Sequence, residues 1–142
     1  LPYKYLAIFI VMSKFRKRIL SKLKNPRNCL VVGTGFGHLE SLIENFNTVF
    51  IVNDGDRSIR NKKIVYRDGY KDLVNLPDVD AIFFDHNLYA NVPHLEGLLR
   101  KTRPVIFVQG QELFPKNEYR YLKSQGYAVT EKLETMHKWT PT

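Results

Sequence analysis

The chain has 142 residues, 44% of them hydrophobic and 25% charged, which is enough for one domain with a proper core and excludes both a disordered and a fibrous architecture. Lys and Arg number 22 against 14 Asp and Glu, a net charge of +8, and the whole excess is N-terminal: eight basic residues precede residue 40 with no acid among them, and from Glu40 onward the signs balance. Cys29 is the single cysteine, so an internal disulfide and a cysteine metal cluster are excluded, and a reducing, cytoplasmic setting is expected.

Residues 5–12, YLAIFIVM, are apolar but far short of the roughly 20 residues that a membrane span needs. Basic residues mostly follow the run, with Lys4 alone before it, and no small-residue cleavage site appears, the reverse of a secretory signal. A strand, a surface anchor, or sequence upstream of a natural start at Met12 all fit it. From Ser13 to Asn25, Phe15, Ile19, Leu20 and Leu23 recur at helical spacing, with Ser13 as N-cap and Asn25-Pro26 as the stop. The result is a basic amphipathic helix. Residues 1–27 are therefore set apart from a domain spanning 28–142. Such a helix can attract nucleic acid, anionic lipid or an acidic partner, or simply be a solvated face.

CLVVGTG then reads as a buried strand, followed by a helical stripe of Leu39, Leu42, Ile43 and Phe46. TVFIVN (48–53), KIVYR (63–67), VDAIFFD (79–85) and PVIFVQG (104–110) are four further strands. Between the last two, Val92, Leu95, Leu98 and Leu99 mark a helix with Pro93 near its first turn. PKNEYRYLKSQG is predicted to be a helix closing on a left-handed Gly126, and YAVTEKLE with HKWTPT a terminal β-hairpin. Strands apolar throughout and separated by helices predict an α/β fold: a three-layer αβα sandwich, Rossmann-like, with a mostly parallel, doubly wound sheet of about seven strands.

Ligands of such sheets bind outside the carboxyl ends of the strands, near the point where strand order reverses. Polar residues gather at those ends: Gly33, Gly35 and Gly37 after the first strand, Asn53 and Asp54 after the second, Asp68 after the third, Asp85 and His86 after the fourth. Glycine lets backbone approach a ligand with no Cβ in the way, and an acid about 20 residues further on is where an adenosine ribose finds its hydroxyl acceptor. Taken singly, the glycine turn reads better as a tight strand-to-helix corner without a ligand; its conjunction with acids on the next two strand ends favours a ligand. The dinucleotide fingerprint would need glycine at position 38, where His38 stands, and no phosphate loop, nucleophile elbow or zinc-protease helix occurs. The remaining histidines have no metal-ligand spacing, and the loop of Asp56, Arg57 and Arg60 reads as solvated.

On these residues the chain, from about Asn28 to its end, resembles the class I S-adenosylmethionine-dependent methyltransferases. The resemblance implies S-adenosylmethionine as cofactor, with Gly33, Gly35 and Gly37 facing its methionine part, Asp54 (or Asn53) at the ribose and Asp68 beside the adenine. Asp85 stands where such enzymes place a residue facing methyl group and substrate; Asp85 and His86 are the catalytic candidates for orienting or deprotonating an acceptor, and loop capping is the plainer role for both. Two features depart from the pattern: Val31 occupies the position usually held by an acid, and no N-P-P-Y-like sequence follows the fourth strand. Without a separate substrate domain, the bare site suits a macromolecular acceptor or a homo-oligomer. Two functions follow as expectations, a small methyltransferase of unknown acceptor, or a non-catalytic nucleotide-binding module docking on nucleic acid through its basic N-terminal helix.

Overall fold

Alternation inside the apolar runs decides how the chain assembles. The computed structural model describes residues 27–32, 39–52, 57–67, 76–85, 88–109, 116–133 and 136–142; the basic helix expected over 13–25 lies outside them. Seven strands are present among the described residues: β1 (Asn28–Val32), β2 (Thr48–Val52), β3 (Ile64–Arg67), β4 (Ala81–Asp85), β5 (Val105–Gln109), β6 (Tyr127–Leu133) and β7 (Met136–Pro141). Three helices join them: α1 (Leu39–Asn45), α2 (Leu88–Thr102) and α3 (Lys116–Ser124). They build one sheet of order β3-β2-β1-β4-β5-β7-β6, parallel from β3 to β5, with β7 antiparallel to both β5 and β6. The doubly wound sheet and its terminal hairpin are as the sequence pattern predicts.

Because successive strand residues point to opposite faces, each strand feeds two cores. One register row runs across all seven strands through Val65, Phe50, Leu30, Ile82, Ile106, Trp139 and Val129. That row packs under Leu95, Leu98 and Leu99 of α2 and Leu122 of α3. The opposite face carries Cys29, Val31, Val49, Ile51, Phe83 and Phe107 under Leu42 of α1 and Phe46. Helices thus cover both faces, which is why these strands tolerate no polar side chain in their centres. Phe83 is the hinge of the second core, stacked on Phe107 at 4.8 Å between centroids and edge-on to Phe46 at 6.4 Å.

Helix α2 begins at Leu88, earlier than the periodicity suggests, so Pro93 falls in its second turn rather than near its start. Proline has no N–H, and one intrahelical hydrogen bond is missing there; the buried Leu95, Leu98 and Leu99 hold the helix in place. Gly126 does adopt the left-handed conformation, φ 81°, just beyond α3.

The amino ends of the strands are pinned by polar contacts. Asp80 Oδ2 accepts the backbone N–H of Arg27 (2.7 Å) and Asn28 (3.2 Å), tying the start of β1 to the residue before β4. Arg103, with φ 50°, donates from Nη1 to the Gln125 carbonyl (2.6 Å) and from Nη2 to the Gly126 carbonyl (3.0 Å), and its guanidinium lies 4.7 Å from the centre of the Tyr127 ring. The buried Tyr127 hydroxyl donates to the Pro104 carbonyl at 2.7 Å. Burial pushes that hydroxyl up to about 12 from 10.0, against an opposing pull from the Arg103 cation.

Two outcomes are expected. Phe83→Ala removes a ring that contacts two others and should cost about 3–5 kcal/mol of unfolding free energy in a urea titration. For Tyr127 the folded state holds the proton more tightly than the unfolded chain, so its contribution is complete below pH 10 and lost as pH rises toward 12. Unfolding free energies of Tyr127→Phe and the unsubstituted chain should therefore differ by a constant below pH 10 and converge above it.

Candidate functional site

Parallel pairing on both edges of β1 aligns the strand ends. Val32 is in register with Val52 on one side and Phe84 on the other, Val52 with Arg67, and Phe84 with Val108. Adjacent strands lie about 4.8 Å apart, so Arg67 to Val108 forms a continuous rim roughly 20 Å long. The strand order reverses between β1 and β4, in the middle of that rim. This is the position at which open α/β sheets bind ligands.

The predicted site residues follow the rim in sequence: Gly33 is peptide-linked to Val32, Asn53 and Asp54 come after Val52, Asp68 after Arg67, and Asp85 after Phe84. Asp85 is the last residue of β4, its backbone in register with Gln109 of β5. Gly33, Gly35, Gly37, Asn53, Asp54, Asp68 and His86 lie outside the described residues, and of Asp85 only the backbone is described. The rim brings their neighbours into one row. Val31, which occupies the position where an acid is usual, is buried at 2% exposure in the core beneath α1.

The β3 end of the rim carries two arginines whose roles no local pattern announced. Arg67 takes the same face as Val65, one turn of alternation further along, and its guanidinium lies 5.6 Å from the Phe50 ring centre; its Nε is buried and makes no hydrogen bond. Arginine at the apolar phase of a strand, next to Asp68, is the signal that could have singled it out. Arg57, expected to be solvated, is half-buried instead: Nη2 donates to the Arg67 carbonyl at 2.9 Å and the guanidinium sits 5.6 Å from the Tyr66 ring centre. The Tyr66 hydroxyl in turn donates to the Ile59 carbonyl at 2.7 Å, folding residues 57–59 back along β3. The reason for the difference is tertiary, since a carbonyl at the open end of an edge strand needs a donor and the arginine fork reaches it. Lys63 does the same for α1, donating from Nζ to the Ile43 carbonyl at 2.8 Å.

Among the described residues no three His, Cys, Asp or Glu side chains converge as metal ligands, and no helix is long and apolar enough to cross a membrane.

No protein-family model matches the sequence, and no curated protein matches it. Solved structures do. The N-methyltransferase NodS from Bradyrhizobium japonicum WM9 matches over 100% of both chains with a TM-score of 0.67 at 12% identity. The fold is that of the class I S-adenosylmethionine-dependent methyltransferases. A similar match joins the chain to an rRNA methylase from Streptococcus thermophilus, with a TM-score of 0.61 at 11% identity over 89% of this chain and 94% of that one. MycE methyltransferase from the mycinamycin biosynthetic pathway, solved with Mg and SAH, matches 95% of this chain with a TM-score of 0.63 at 11% identity; this chain spans 47% of its length. At such identities the methyltransferase fold is what the chains share, and the strand-end rim belongs to that fold.

Arg57→Ala removes the bond to the Arg67 carbonyl and the contact with Tyr66, and is expected to lower stability by about 1–2 kcal/mol in urea unfolding. Arg57→Lys should recover less than half, because an ammonium lacks the planar fork that serves carbonyl and ring together. A loss under about 0.5 kcal/mol for the alanine variant would return Arg57 to the solvated surface.

Proposed function

We propose that the chain binds S-adenosylmethionine along the carboxyl rim of the sheet and acts as a methyltransferase. The observation that carries this reading is the alignment of Val32, Val52 and Arg67 in one register row at the switch point, each followed in sequence by the glycines or acids suited to one part of that ligand. The fold likeness to MycE, solved with SAH, and to NodS supports it. The donor set fits the group: carboxylates to accept hydroxyl and amino protons, and a glycine loop leaving room for backbone contact.

In this reading Gly33, Gly35 and Gly37 let the backbone after β1 come close to the methionine part of the ligand. Asp54, with Asn53, accepts hydrogen bonds from the ribose hydroxyls, and Asp68 accepts one from the adenine amino group. When bound, S-adenosylmethionine supplies a methyl group on a sulfonium, an electrophile that needs only a well-placed acceptor. The chain's task is therefore positional: Asp85 and His86, at the end of β4, hold the acceptor in line, and take its proton where it has one to lose. The acceptor approaches the rim from solvent, and a cytoplasmic setting suits the single cysteine.

One observation favours a second reading. Val31 stands in a sealed apolar core where an acid is usual, so the ligand loses one polar contact, and a nucleotide-binding module without catalysis, docking on nucleic acid through its basic N-terminal segment, has that feature in its favour.

Calorimetric titration of the full chain with S-adenosylmethionine, S-adenosylhomocysteine and NAD separates these readings. Both sulfur ligands are expected to bind, Asp54→Ala to weaken each by at least about tenfold, roughly 1.4 kcal/mol, and Asp85→Asn to spare binding while lowering methyl transfer. Tighter binding of NAD than of either sulfur ligand overturns the assignment. Binding undiminished in Asp54→Ala overturns the ribose role.

A further inference from the structure

A parallel crossover usually carries a helix over the sheet, yet residues 57–63, leading into β3, contain none. The outer part of the sheet face that holds Ile64 and Tyr66 is thereby left with a cavity of about 600 Å³, within the range of sites that take small organic molecules or one unit of a polymer. Arg57, Arg60, Asn61 and Lys62 line it together with Ile59, Ile64 and Tyr66, and no carboxylate is among the described residues that line it. This departs from the even balance of charge that the chain shows after residue 40. Arg60 and Lys62 are exposed, with no carboxylate partner among the described residues. Beside them Ile59 leaves 49% of its surface in water, which makes it one of the large apolar side chains the fold does not bury.

We propose that this cavity binds single-stranded nucleic acid. Arg60 and Lys62 each take one phosphate of the backbone, while Ile59 and the edge of Tyr66 give the adjoining sugar and base an apolar wall. Cations alternating with apolar and aromatic surface in a groove are what a strand with unpaired bases requires. A lipid surface would instead need the charges on a broad convex face, and these line a concavity. Arg57 prepares the site rather than filling it: held by the Arg67 carbonyl and the Tyr66 ring, it keeps the loop in shape before any strand arrives, so less ordering is left to be done on binding. Arg57, which lines the cavity, is bonded to the Arg67 carbonyl at the end of β3, so the Arg57 side of the cavity faces the rim, and a strand seated there continues toward the carboxyl ends of the sheet. The proposal does not depend on the cofactor reading, because it concerns binding through a different face and is measured without cofactor.

The test is fluorescence anisotropy of a labelled 12-nucleotide single-stranded RNA with the full chain, across a series of salt concentrations. The double variant Arg60→Glu/Lys62→Glu should raise Kd at least tenfold and flatten the slope of log K against log salt by about 1.4, two contacts at roughly 0.7 each. Arg120→Glu/Lys123→Glu on α3 makes the same change of net charge elsewhere and should raise Kd less than threefold; Ile59→Ala, which changes no charge, should weaken binding several-fold with the slope intact. Circular dichroism confirms that these exposed substitutions leave the fold in place. No binding by the unsubstituted chain, equal losses in the two charge variants, tighter binding to a duplex of the same length, or preferential partition onto phosphatidylserine vesicles through Arg60 and Lys62 would each overturn the proposal.

Discussion

A strand hydrogen-bonded along both edges and packed on both faces cannot slip by a residue without turning two cores inside out. β1 is such a strand. Its partners on either side run parallel to it, and Cys29 to Val32 are buried at 2% exposure or less, alternately serving the cores under α1 and under α2 and α3. Everything else takes its place from that register: the row of apolar residues across seven strands, the level at which neighbouring strands stop, and hence the existence of a single rim from which the loops depart.

The amino ends of the strands are tied to one another by polar groups. At the amino end polar groups are consumed by the fold itself: Asp80 receives two backbone N–H groups, Arg103 closes the turn after α3, and the Gly126 carbonyl also accepts from the Thr142 backbone at 2.7 Å. Among the described residues of the carboxyl end, the Arg67 carbonyl accepts from Arg57 Nη2, and the Nε of Arg67 makes no hydrogen bond.

Most of the architecture was legible in the sequence because burial on both faces leaves a strong mark: LVV, VFIV, AIFF and VIFV are continuous apolar runs of strand length, and each became a strand. Gly126 was legible because a left-handed residue after a helix has few alternatives. The start of α2 was not, since Pro93 suggests a first turn by local rules while the burial of Leu95 and Leu98 sustains a longer helix. Of the candidate site, the spacing of glycines and acids could be read directly, and the sheet register sets the strand ends that precede them, Val32, Val52, Arg67 and Phe84, in one row. Arg57 could not: a charged residue in a short loop looks solvated until the carbonyl it bonds, ten positions away, is brought beside it by strand pairing.

The polar tethering of the amino ends bears on how such a molecule can change over time. Insertions, deletions and replacements in the loops above the rim leave Asp80, Arg103 and the buried rows untouched, so new recognition surfaces can be tried without unsettling the scaffold. A short β2–β3 crossover of the kind present here is one such edit, and it opens a patch of sheet that a longer insertion would roof over.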